Sequence, residues 1–343
     1  MAIVIATNSP FRVPKAPSIQ HFAIDPAIRT DHHTFMILSA SRRTDIPAFY
    51  PEWMCNRLRE GFALVRNPFN QGLVSKVALT PASTDCIVFW TKNPAPLLAR
   101  IDELDSFAIP YYFLFTLNPY DADMETGLPP REAIIRTFRE LADRIGPRRI
   151  RWRYDPVILT DTISPDFHFA RFETLARALQ GSTERCVISF LHLYRKCRRN
   201  LSGFRIAIPE TGTRLMMARR LAEIASEKEI TLEWCAPEDD ITGTGILPGR
   251  CVDGDLVDEL AGKHVAWKKD PGQRKTCGCA KSVDIGAYDS CPHGCLYCYA
   301  NSNHARAAEN LGAHDPLSPM LIGHPRPDDT ITDRNSGESS LFE

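Results

Sequence analysis

The chain has no stretch approaching the roughly 20 consecutive apolar residues that span a bilayer. Its opening run, MAIVIATNSPFRVPK, lacks a basic segment leading into a long apolar one. The expectation is a cytoplasmic protein with no membrane partner. Neither sign of charge is in excess: 41 basic and 42 acidic side chains give a formal net charge of -1. That argues against a coat protein held to nucleic acid by bulk charge, and leaves room for a local basic groove. Cysteine is sparse over the first 200 residues, where only Cys55, Cys86, Cys186 and Cys197 occur. A secreted disulfide scaffold would be shorter and denser in cysteine. A dinucleotide-binding fingerprint is missing too, because GTGILPG lacks the strand–helix frame and reads as a turn-rich connection. There is no internal repeat beyond an alternation of strand and helix.

What is present is an enzyme-sized chain of 343 residues, 43% hydrophobic, enough to bury a sizeable core. Short β-rich runs (FMILSA, DCIVFWTK, YYFLFTLN, IRWRYDPV, CVISFLHL, ITLEWC) alternate with helix-like segments. PPREAIIRTFRELADRI and TGTRLMMARRLAEIASEK have the clearest apolar spacing of three and four. Strand and helix in repeated alternation predict an α/β fold with a parallel (β/α) barrel, partial or full. Residues 1–34 read as an irregular N-terminal extension, 35–236 as repeated βα units, 237–314 as a cysteine-rich segment completing the barrel, and 315–343 as a disordered tail.

Nearly every β-run ends in polar residues, and ligands of parallel α/β folds bind at the carboxyl ends of the strands. Lys92, Asn118, Arg153, Asp155 and His192 occupy such positions. Arg42, Arg43, Thr44 and Asp45 follow the first run and suit a carboxylate, a phosphate or a methionine moiety, although Arg–Asp pairs also cap loops. Along IRWRYDPV, Arg151, Arg153 and Asp155 alternate with Trp152 and Tyr154, so one face of that strand is charged and the other aromatic. His192 taken alone reads more readily as a satisfied core histidine than as a catalyst. RIGPRRIRWRYDP and LYRKCRRN mix arginine with aromatic residues, which keeps nucleic acid among the candidate partners.

The remaining seven cysteines all lie between Cys235 and Cys298. Cys291, Cys295 and Cys298 in CPHGCLYCYAN have the spacing C-x3-C-x2-C, compact enough for three thiolates to share an iron–sulfur cluster and leave one iron open. Zinc would want a fourth ligand, which His293 or His304 could supply. The motif resembles the signature of the radical S-adenosylmethionine (SAM) enzymes, in which three cysteines bind a [4Fe-4S] cluster and SAM chelates the fourth iron. The resemblance implies that Tyr297 packs beside the cluster near the SAM adenine. It also implies that SVDIGAY is a strand and that a helix begins after Cys298, together forming that family's first βα unit. Here the unit comes last, so the resemblance implies a circularly permuted barrel in which first and last strands are neighbours.

SASRRTDIPAFY, VFWTKNP, IRWRYDPV and CGCAKSVDIG…CPHGCLYCYAN together resemble an uncharacterised bacterial family of unknown function over nearly residues 35 to 305. Strand ends in Thr-Lys, Leu-Asn-Pro and Asp-Pro are loosely similar to those of the spore photoproduct lyase branch. Cys235, Cys251, Cys277 and Cys279 number enough for an auxiliary [4Fe-4S] cluster; a redox dithiol or tight turn at CGC, with Cys251 in the core, is the plainer reading. The expected function is therefore an iron–sulfur enzyme that cleaves SAM and abstracts hydrogen from a small molecule, a peptide or a nucleic-acid lesion. Catalytic candidates are Lys92, Arg153, Asp155 and His192; Arg42, Arg43, Asp45, Asn118 and Tyr297 are cofactor-binding candidates. A reducing partner such as a flavodoxin or ferredoxin would be needed. An iron–sulfur binding or sensing protein that cleaves no SAM is the alternative, followed by a zinc-binding nucleic-acid module.

Overall fold

The structure, a computed structural model, describes residues 35–334. The expected extension over 1–34 and the last part of the expected tail, 335–343, lie outside the described residues. Eight strands form one sheet: β1 Ile37–Ala40, β2 Cys86–Thr91, β3 Tyr111–Thr116, β4 Ile150–Val157, β5 Arg185–Phe190, β6 Thr231–Cys235, β7 Leu247–Gly249 and β8 Val283–Asp284. Their spatial order is β7-β6-β5-β4-β3-β2-β1-β8, and every neighbouring pair is parallel. The six β-rich runs of the sequence thus supply β1 to β6 in order. β8 pairs with β1 through Leu38↔Val283 and Ser39↔Asp284. The last strand of the chain therefore lies beside the first.

The sheet is open. β7 and β8 stand at opposite ends of the order and do not pair, so the full barrel does not form. The edges explain this. β8 has two residues and β7 has three, one of them Pro248, which has no N–H to donate to a further strand. GTGILPG, expected to be only a turn-rich connection, carries β7.

Side-chain alternation divides the sheet into two faces. On one, Trp152 stacks on Phe172 of helix Pro165–Leu179 with ring centroids 4.7 Å apart, and Phe115 stacks on Phe138 of helix Arg131–Ile145 at 4.7 Å. These helices keep their apolar stripe on the sheet because that is the only surface where it escapes water. On the other face, Ile37, Cys86, Val88, Tyr112, Leu114 and Val187 pack against Cys251, Val252, Leu256, Val257, Cys277, Cys279 and Ala280. The segment after β7, including helix Gly254–Ala261, thus lies against the face that bears Arg151, Arg153 and Asp155. Tyr112 fixes it by donating its hydroxyl to the Cys251 carbonyl at 2.8 Å and accepting the Asp253 amide at 3.1 Å.

The expectation of disorder from Asp315 fails over the described residues. Thr330–Asp333 adds a parallel strand to the antiparallel pair Phe62–Arg66 and Leu73–Ala78. Trp53 Nε1 donates to the Ser318 carbonyl at 2.9 Å, Arg66 pairs with Asp329, and Met320 and Leu321 are buried. A run rich in proline and charge reads as disordered because it offers few apolar residues. Here backbone pairing and specific polar anchors hold it instead.

Candidate metal centre

The carboxyl edge of the sheet is organised by the β1–β8 junction. Asp284, in β8, accepts Ser39 Oγ at 2.9 Å, Ser41 Oγ at 2.7 Å, the Arg42 amide at 2.8 Å, Arg43 Nε at 2.9 Å and the Gly286 amide at 2.9 Å. Burial would raise its pKa, but Arg43 and these donors hold it below the usual carboxylate value. Gly286 is required at this junction: a Cβ there would sit 2.0 Å from Ser41 Oγ. Arg43 is thereby committed to the junction.

Asp45 is committed as well. It accepts the Ala48 amide at 3.0 Å, the Lys92 amide at 2.7 Å and His293 Nε2 at 2.8 Å, tying the loops after β1 and β2 to the cysteine loop. His293, weighed from sequence as a zinc ligand, thus gives one ring nitrogen to Asp45.

The cysteine loop runs from Cys291 to Cys298 past the end of β8, and the helix that follows is His304–Gly312, capped by Asn303 through Ala305 N at 2.8 Å. A second loop, after β3, grips it. Leu296 N donates to the Met124 carbonyl at 3.0 Å, Gly127 N to the His293 carbonyl at 2.8 Å, and Glu125 forms a bridge opposite Cys295. A Cβ on Gly127 would lie 2.7 Å from the Pro292 carbonyl oxygen, and one on Gly294, at φ +69°, would lie 2.0 Å from Thr126 Oγ1. Close backbone approach at Gly127 and the left-handed backbone at Gly294 favour glycine.

Cys291, Cys295 and Cys298 lie within electrostatic reach of one another. Burial pushes each thiol up, so a bound metal must displace their protons. Cys298 Sγ accepts the Ala300 amide at 3.3 Å, a bond that favours the thiolate. Among the described residues no group of three or more His, Cys, Asp or Glu side chains is set to hold a metal ion. An iron–sulfur cluster takes one thiolate per iron. The donor set of three soft thiols, one of them already bonded by an amide, fits the cluster.

Around the triad the strand ends form one polar network. Lys92 Nζ donates to Glu125 Oε1 at 2.8 Å and to Tyr297 Oη at 2.9 Å. Asn118 Nδ2 reaches the Tyr297 hydroxyl at 2.9 Å and the Asp155 carbonyl at 2.9 Å, while Asn118 Oδ1 accepts the Asp155 amide at 2.9 Å. Tyr297 also donates to Glu125, and Asp155 accepts from both Arg153 and Ser189. Trp90, facing the same way as Val88, stands between two guanidiniums, with Arg153 Cζ 4.8 Å and Arg42 Cζ 5.2 Å from its ring. Arg42 Nη1 reaches Ser282 Oγ at 3.1 Å and Asp270 at 3.6 Å. Arg42 Nη2, Arg153 Nε and Trp90 Nε1 are buried and have no hydrogen-bond partner among the described residues. Three unmet donors on neighbouring side chains form a place for an acceptor-rich group. Tyr299 lies beside Cys298 and near both Arg42 and Arg153, linking triad and arginines.

His192 stands apart. It is exposed, after β5, with its ring edge-on to Tyr194 at 4.8 Å. Glu125, Trp90, Asp284 and Ser189 complete the network without having been singled out in sequence. Trp90 was legible from the alternation of its strand; Glu125 sits in a loop with no spacing to mark it. A charged cleft lined by Arg148, Arg151, Glu184, Arg185 and Asp253 lies at the opposite edge of the sheet. Its ions are matched internally, as Arg148–Glu259 at 2.6 Å, Arg151–Asp253 and Arg185–Glu233 at 2.5 Å. Several arginines of RIGPRRIRWRYDP are therefore already engaged within the chain.

The model of a family described as a domain of unknown function, DUF1848, matches residues 37–300, from the start of β1 to just past the cysteine loop. Comparison with curated proteins and with solved structures gives no match.

Proposed function

The chain belongs to the DUF1848 family, and we propose that it is an iron–sulfur enzyme of radical SAM type. The observation that carries this reading is the position of β8. It adds to the sheet beside β1 and delivers the cysteine loop to the carboxyl edge, where Lys92, Asn118, Arg153 and Asp155 also end. In this reading β8, the cysteine loop and helix His304–Gly312 are the first βα unit of a radical SAM sheet, moved to the end of the chain.

Cys291, Cys295 and Cys298 would hold the [4Fe-4S] cluster. When bound, that cluster supplies the electron that splits SAM into methionine and a 5′-deoxyadenosyl radical, which takes hydrogen from the substrate. The chain's own groups have separate tasks. Lys92, Glu125, Asn118 and Tyr297 form a buried, mutually satisfied set that fixes the loop and keeps its polar groups from water. Arg42 and Arg153 offer their unmet N–H groups to a carboxylate or phosphate, from the methionine end of SAM or from an anionic substrate. Trp90 provides the flat apolar wall between them. Asp155, held by Ser189 and Arg153, orients Arg153. The electron would come from a reducing partner such as a flavodoxin or ferredoxin.

Anaerobic purification with iron and sulfide analysis, followed by electron paramagnetic resonance with and without SAM, tests the proposal. A spectrum that changes on SAM addition, with 5′-deoxyadenosine formed under a reductant, is the expected result. Replacing Cys291, Cys295 and Cys298 together by Ala removes one cluster and all SAM cleavage. Cleavage retained in that variant refutes the assignment, and a cluster indifferent to SAM reduces the protein to an iron–sulfur binding or sensing role.

A further inference from the structure

Four cysteines outside the triad converge from three separate stretches of chain. Cys235 is the last residue of β6, Cys251 follows β7, and Cys277 and Cys279 lie on the turn before β8. Cys251 Sγ is 3.8 Å from Cys235 Sγ. Cys277 also lies close to Cys235, and Cys279 lies close to both Cys251 and Cys277. The four thiols therefore form a closed ring of neighbours. None is in a disulfide, and 3.8 Å is far beyond the roughly 2.05 Å of an S–S bond.

The surrounding backbone is built to this convergence. A Cβ on Gly249 would lie 3.0 Å from the Trp234 carbonyl carbon and 3.1 Å from the Cys235 nitrogen, so glycine lets β7 lie close to β6 and set Cys251 against Cys235. Val252 N donates to Cys279 Sγ at 3.4 Å, and Ala280 N to the Val252 carbonyl at 2.9 Å, pinning the CGC turn to the residue after Cys251. Cys251, Cys277 and Cys279 are buried and Cys235 half-buried.

Charge adds an independent argument. Arg153 lies near Cys235 and Cys251, and Arg42 near Cys279. Four thiolates around a divalent centre carry a net charge of about −2, which two guanidiniums balance. Asp155 pairs with Arg153, and Asp284 and Asp270 lie near Arg42, so these carboxylates already offset part of the positive charge.

We propose that Cys235, Cys251, Cys277 and Cys279 hold a second metal centre, a thiophilic metal bound by four thiolates. It leaves no coordination position for SAM, and Arg42 and Arg153 lie near both this group and, through Tyr299, the triad. The centre stands on its own residues and does not depend on SAM chemistry at the triad.

The test uses the full chain purified anaerobically with Cys291, Cys295 and Cys298 all replaced by Ala, so that only the second group can bind metal. Metal and acid-labile sulfide are quantified per chain. Four iron with four sulfide identifies an auxiliary [4Fe-4S] cluster, and one zinc or iron without sulfide identifies a tetrathiolate ion; either supports the centre. A metal-free chain that keeps the wild-type circular dichroism spectrum overturns it. Adding Cys235→Ser and Cys277→Ser should remove the remaining metal, and metal retained at the same stoichiometry overturns the assignment. Alkylation of the wild-type chain followed by mass spectrometry supplies a readout free of variants: the four cysteines should be modified only after chelator treatment. A triad failure appears instead as no loss of metal between wild type and the triple-Ala chain, so the two readings fail separately.

Discussion

Gly127→Ala tests the grip of the β3 loop on the cysteine loop. The added Cβ would meet the Pro292 carbonyl oxygen at 2.7 Å and the His293 carbonyl oxygen at 2.9 Å, against an ordinary contact of at least 3.4 Å. Neither partner is the free end of a flexible side chain, so relief requires the two backbones to part by several tenths of an ångström. That movement stretches the Gly127 N to His293 carbonyl bond, now 2.8 Å. Overpacking of this kind costs about 1–3 kcal/mol. With an unfolding entropy of roughly 2.1 cal/mol/K per residue over 343 residues, each kcal/mol is worth about 1.4 °C in Tm, so the expected fall is about 1–4 °C. Because the displaced residues lie between Cys291 and Cys295, iron retained after anaerobic reconstitution should fall as well. Gly203→Ala, where a Cβ meets nothing within 4 Å, is the control. Differential scanning calorimetry and iron analysis read both effects. A Gly127→Ala protein matching the control in Tm and iron content would refute the packing argument.

Three further expectations follow from the same network. Lys92 and Glu125 have side chains only 13% and 5% exposed, so Glu125→Gln leaves a buried cation with weakened compensation and should cost about 3–5 kcal/mol in chemical denaturation; Lys92→Met combined with Glu125→Leu should recover most of it. Arg153→Met, which keeps the apolar stem and removes the charge, should weaken SAM or an anionic ligand by roughly ten- to a hundredfold in calorimetric titration, and unchanged affinity would sink the role given to the unmet donors. His168 is fully buried between Tyr154 Oη at 2.7 Å and the Ile158 carbonyl at 2.8 Å, and burial pulls its pKa from 6.5 to about 4. The unfolded chain then binds the proton more readily than the folded one, so this contribution is intact above pH 6.5 and is lost as pH falls toward 4, by about 3 kcal/mol in all. His168→Gln should flatten that segment of the stability–pH curve.

The sheet was legible because its strands are long runs of β-branched and aromatic residues whose inward and outward positions differ in chemistry. Arg151, Arg153 and Asp155, alternating with Trp152 and Tyr154, mark both faces of β4. The short edge strands were not legible in full. Leu247–Gly249 contains a proline and a glycine, and of SVDIGAY only Val283 and Asp284 pair, since Asp284 turns its side chain into the β1 loop. The site was legible where spacing is local, as in CPHGCLYC, and at strand ends. It was hidden where a group matters through a partner far along the chain: Glu125 with Lys92 and Tyr297, or Asp284 with Arg43. Sequence periodicity carries no information about such pairs. His192 shows the opposite failure, because a strand-end position does not ensure that a side chain turns toward the site.

The β1–β8 pairing joins residues about 245 positions apart, and it imposes a timetable on the molecule. During synthesis, β1 to β6 and the helices between them emerge before the cysteine loop exists, and domains form from the N-terminal side as they emerge. The strand that closes the Asp284 junction comes late and pays the loop-closure cost of nearly the whole domain. Folding of the scaffold and maturation of the metal centre are thereby separated in time. A ribosome stalled shortly after β6 would carry most of the sheet with neither triad nor β8, and the last sixty residues or so would decide whether that sheet becomes a metalloprotein.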